Sequence, residues 1–255
     1  MNAPLRTPCR ALFAASLFAA ALLAGSAPGE AQPAPEAPEW NARNVEHLLN
    51  RAGFGARPAE IRRWVEAGPQ ATLAHLFATR AALDPFYVEP LLVDRERLAG
   101  LDPETRRREV AVLCAQNRRQ QQSYLGWCVD RMVGGVEPLR ERMTLFWHGF
   151  FTSSTSEVKF SFAMIAQSQL LREHALGSYR ELLAGILRDP AMLIYLDNVS
   201  NRRDHPNENL ARELLELFSL GEGNYSETDV LEVARALTGY SFRRGGGFRF
   251  EPRAH

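Results

Sequence analysis

Two carboxylates, Glu208 and Glu213, and one imidazole, His148, are this chain's candidates for acid–base chemistry. Brought together, a carboxylate and a histidine can act on a substrate as general base and general acid. The carboxylates lie in DNVSNRRDHPNENLARELLELFSLG, residues 197–221, which also offers Asp197, Asn198, Asn207, Asn209 and Arg212 as binding or positioning groups. The chemistry of such a cleft would be hydrolytic, with amides and a guanidinium orienting a polar substrate. A plainer reading competes with it. Glu208, Arg212 and Glu216 follow one another at i,i+4, the spacing of a solvated ion-pair ladder in which each pair contributes about 0.3 kcal/mol. On the same footing His148 is an ordinary histidine on a helix surface.

The elements that must position these groups are legible. Pro206 suits a first helical turn and Gly221 a stop. Between them Leu210, Ala211, Leu214, Leu215, Leu217 and Phe218 cover one half of a helical wheel. Asn207 falls within that apolar half, so the spacing predicts that it points inward and needs partners. The loop from Asp197 to His205 is rich in groups that bond backbone and cap helix ends. His148 belongs to a helix opened by Pro138, where Leu139, Met143, Phe146, Trp147 and Phe150 share one face and His148 lies opposite, near Glu141 and Thr144. After the acidic segment, Ser226 and Asp229 form a capping box for a helix with the stripe Val230, Val233, Ala234 and Leu237, ended by Gly239.

The rest of the chain reads the same way. Helices are predicted from Asn44 to Gly53, from Pro58 to Gly68, through QATLAHLF, from Pro103 to a Gly134-Gly135 stop, from Ser161 to His174 and from Tyr179 to Leu187, with a short turn in DPAMLIYLDN. Strand-like alternation is confined to GFRFEP. The expected fold is mainly α, a multi-helix orthogonal or bundle-like domain over residues 41–255.

The first 31 residues have another character. Arg6 and Arg10 precede an apolar run from Ala11 to Ala24, and Gly29 and Ala31 place small residues before a cut after Ala31, the layout of a secretory signal peptide. A Pro/Ala-rich linker over residues 32–40 follows. The run is too short for a membrane span of roughly 20 residues, so no stable span is expected after cleavage, and the destination is the periplasm or the extracellular space. Thirty cationic and thirty anionic side chains balance, which argues against nucleic acid as a partner. Lys159 is the only lysine. Outside the signal, Cys114 and Cys128 lie about 21 Å apart if one straight helix carries both, too far for a disulfide; two unpaired, mostly buried thiols are expected. No metal-ligand spacing, phosphate-binding loop or nucleophile elbow is present, and the sequence names no cofactor.

The segments HLLNRAGFG, RERMTLFWHGFF, LREHALGSYRELL, DPAMLIYLDN and HPNENLARELLELFSLGEGNYSETDVLEVARALTGY occur in an order that resembles the bacterial family called domain of unknown function 1800, over Asn44 to His255. The resemblance implies a helical, exported protein without an assigned reaction, acting in envelope or extracellular binding or assembly. It also implies a candidate partner, another exported protein encoded by a neighbouring gene. Two departures stand out. Phe150 occupies a place where the family usually has a second histidine, and Gln167-Ser168 replaces Gln-Asn. The family domain usually continues beyond the segment matched by FRFEPRAH, so this chain is expected to be truncated, and a non-functional fragment is a third reading.

Overall fold

The structure, a computed structural model, describes residues 39–78, 86–89, 91, 94–243 and 246–255. The segment expected to be a signal peptide, with Cys9, most of the expected linker and part of the proline-punctuated connection before Asp94 lie outside the described residues. The described residues form ten α-helices and one two-stranded hairpin, so the fold is mainly α.

Helix starts follow local chemistry. α1 (Ala42–Ala52) begins where the Asn41 side chain accepts from Asn44 N. α2 (Pro58–Phe77) opens on Pro58 and kinks at Gly68, whose φ of 83° interrupts the helix before Pro69. The two helices expected there are therefore the two arms of one kinked element. α3 (Arg95–Gly100) is short; α4 (Pro103–Gly134) runs 32 residues from an Asp102 cap to Gly135 in the left-handed region. α5 (Pro138–Phe150), α6 (Ser161–Glu173) and α7 (Tyr179–Ile186) lie close to their expected bounds. The Asp189 carboxylate caps α8 (Pro190–Tyr195) by accepting from Met192 N at 2.8 Å. α9 (Asn209–Glu216) starts later than Pro206 suggested, and α10 (Glu227–Ala236) carries the expected Ser226–Asp229 capping box. β1 (Tyr240–Phe242) pairs antiparallel with β2 (Phe248–Phe250), Tyr240 opposite Phe250.

The main core gathers the apolar stripes of α6 to α10. Leu171, Leu182, Ile186, Met192, Leu210, Leu215, Val230 and Ala234 are buried together, with Phe151. A smaller cluster of Val45, Leu49, Ala52 and Leu76 joins α1 to α2, and Trp40 closes it by donating to the carbonyls of Trp64 and Val65. α4 lies against α5 and α6, yet none of its residues is buried. Among the described residues no helix is long and apolar enough to cross a membrane.

Candidate functional site

The buried side of α5 is its polar side. Arg140, Glu141 and Thr144 are buried, while Phe146 and Phe150 remain in part exposed. Burial of charge is costly unless every charge finds a partner, and here three elements supply them. Arg172 on α6 donates from Nε to Glu141 at 2.7 Å and from Nη2 to Glu137 at 3.1 Å. Arg131 on α4 repeats the pattern, at 2.7 Å to Glu141 and 3.3 Å to Glu137. Arg140 donates to Glu137 and to the carbonyls of Arg172 and Glu173 at the end of α6. The guanidinium groups of Arg131 and Arg172 also lie over the Trp127 ring, a further cation–π attraction. This network fixes α4, α5 and α6 relative to one another.

Above it the three helices leave a cleft of about 330 Å³. Its walls are mostly apolar: Leu125, Trp127 and Met132 from α4, Leu145 from α5, Met164 and Ile165 from α6. Tyr124, Cys128, Ser168 and His148 add polar atoms. His148 keeps an exposed side chain, and its partial desolvation at the cleft lowers its pKa. Burial also raises the Cys128 thiol, with the Tyr124 hydrogen bond opposing, so it is no activated thiolate. Burial pushes the Tyr124 hydroxyl up. The cleft thus offers apolar surface with a few neutral hydrogen-bonding groups, the usual make-up of a ligand pocket.

The polar segment 197–209 does something different. Asn198 donates to the carbonyls of Leu237 and Tyr240, and Asn201 to those of Asn198 Oδ1 and Ala234. Both asparagines are buried, and together they satisfy backbone at the end of α10. Asn201 also accepts from Asn207 N at 2.9 Å. Asn207 is not the inward-pointing residue expected. The helix starts two residues later, so Asn207 lies before it, half-buried, donating to Asp197 and Ser200 and accepting from Asn209 N. A bridge between Arg202 and His205 turns the chain where Pro206 had suggested a first helical turn. Asn209 reaches the Leu196 carbonyl at the end of α8. The segment is a clasp joining α8, α9 and α10.

On α9 the expected ladder forms by half. Arg212 pairs with Glu208 at 3.2 Å, but its stronger, two-pronged contact is to Glu227 on α10, and Glu216 instead accepts from Tyr225. Hydrogen bonds from Arg212 hold the Glu227 carboxyl below its ordinary range. Burial, then the neighbouring Glu216 charge, raises Glu213. Glu208 lines a separate hollow with Ser200, His205, Pro206 and Asn207, which shares no lining residue with the cleft at His148. Cys114 and Cys128 are both free and both on α4; Cys114 is exposed rather than buried, because α4 has no buried face. Sequence reading missed Tyr124, Ser168 and the ion network. The available signal was the run of 3- and 4-residue spacings on α4 that carries Gln121, Tyr124 and Cys128.

A family model described as "Protein of unknown function (DUF1800)" matches residues 47–255. No curated protein matches the chain. No solved structure matches it.

Proposed function

This chain belongs to the DUF1800 family, and we propose that it is an exported binding component of the cell envelope or extracellular space, taking an apolar ligand in the cleft between α4, α5 and α6. The observation that carries this reading is the cleft's chemistry: apolar walls of about 330 Å³ over charges already paired with one another. Paired charges have little to gain from a charged substrate, whereas the apolar walls gain by leaving water. The signal-like first 31 residues support export.

The binding half is tested with Nile red, a neutral apolar dye that brightens on leaving water. Wild-type protein is expected to bind it saturably, and Leu145→Arg, which sets a charge in the wall, to bind roughly ten-fold more weakly. Equal binding by both would sink the assignment. Export is tested by fractionating cells that express the chain with and without residues 1–31. Equal cytoplasmic retention of both forms would contradict it.

A further inference from the structure

α4 is 32 residues long and none of its residues is buried, although one face of it is not an ordinary solvated face. Val110, Cys114, Asn117, Gln121, Tyr124 and Cys128 follow at alternating four- and three-residue steps, which places them in one stripe. The C-terminal half of the stripe lines the cleft described above. Its N-terminal half lines a second hollow of about 410 Å³, walled on the far side by Phe160 and Phe162. Gln121 and Thr155 line both hollows, so the two adjoin end to end along the helix, and we treat them together as one groove. Between Arg118 and Met132 the helix rises about 21 Å.

The two ends differ in charge. At the C-terminal end Glu141 and Arg172 are bound to each other and to the buried network. At the N-terminal end stand Arg118 and Lys159, both exposed. Among the described residues neither forms an ion pair, and no carboxylate lines that hollow. The chain's only lysine thus faces the same hollow as an arginine that has no acid to answer it.

We propose that the groove binds a single-chain aliphatic carboxylate, a long-chain fatty acid, with its hydrocarbon tail in the apolar end and its carboxylate between Arg118 and Lys159. This rests on the cleft being a binding site, as argued above, and adds the ligand's class and direction. Hydrocarbon suits the apolar end better than peptide does. The walls of that end expose few polar atoms to backbone amides, whose burial without partners is costly. The apolar end holds about 330 Å³, a volume that suits one hydrocarbon chain better than two and favours a fatty acid over a two-chain lipid.

The test is displacement of Nile red from the full chain by dodecanoate, dodecanol and dodecyltrimethylammonium below their micelle concentrations. Dodecanoate is expected to displace the dye at roughly five- to ten-fold lower concentration than dodecanol, with dodecyltrimethylammonium weakest, the gain two exposed cations can supply. The double variant Arg118→Gln, Lys159→Gln is expected to bind dodecanol as before and to lose the preference; added salt should erode it in the wild type. Equal displacement by acid and alcohol overturns the proposal, as does a preference that survives in the double variant. Dye displaced only by two-chain phosphatidylglycerol vesicles overturns the single-chain assignment. If the dye binds and no chain displaces it, the ligand class is wrong while the cleft remains a binding site. If the dye does not bind at all, both readings fall.

Discussion

At the residue scale the strongest constraints are buried charges. Glu141 accepts from both Arg131 and Arg172 while almost wholly removed from water. Glu141→Gln would leave Glu137 as the one anion shared by the two buried guanidinium groups, and weakening such a buried network from one side is expected to cost about 3 kcal/mol. Glu208→Ala removes only an exposed partner of Arg212, which keeps Glu227; its expected cost is about 0.5 kcal/mol. Urea unfolding of the two variants checks the contrast, and equal losses would deny the network its structural role. Asp189 supplies a pH signature. Burial lifts its carboxyl from 3.8 to about 7, against hydrogen bonds from Met192 N and Gln167. A folded pKa above the unfolded one means that the neutral form is favoured in the fold. That stability is fully present below pH 3.8 and is lost as pH rises through about 7. Asp189→Asn keeps an oxygen acceptor without the charge and should flatten this part of the stability–pH curve. A curve of unchanged slope in the variant would show that Asp189 is not its source.

At the scale of elements, the clasp between α8, α9 and α10 depends on backbone carbonyls as much as on side chains. Gly239 ends the turn after α10 with φ 77°, and a Cβ there would stand 2.8 Å from the Glu251 carbonyl oxygen. Gly239→Ala is therefore expected to cost about 1–3 kcal/mol, and Asn201→Ala, which unpairs Asn207 N and leaves the Ala234 carbonyl only its bond from Leu237 N, a similar amount. Thermal melts check both; full stability in either would show the clasp to be decorative. These elements also show what a sequence can and cannot reveal. Asp102, Asp189 and Ser226 mark helix starts because capping is decided within one turn. Pro206 misled because a contact between Arg202 and His205 outweighed its local preference. The apolar stripe of α5 was legible, but not the burial of its opposite, polar side. That burial needs Arg131 and Arg172 from two other helices, and their meeting with Glu141 is a tertiary fact. The cleft was visible only through His148 for the same reason.

At the scale of the whole molecule, the helices differ in whether they fill a core. α6 to α10 bury their stripes together, whereas α4 turns a mixed apolar and polar face to a groove with cations at one end and paired charges at the other. That polarity predicts a direction for a bound chain. The direct measurement is quenching of Trp127, which lines the apolar end, by dodecanoates brominated at either the methyl end or the carbon next to the carboxylate. Bromine quenches indole fluorescence only at short range, so wild-type protein should be quenched more by the methyl-end label, and Trp127→Phe should lose that difference. Quenching that is equal for the two labels, or unchanged in Trp127→Phe, would contradict a chain lying tail-first in the groove along α4.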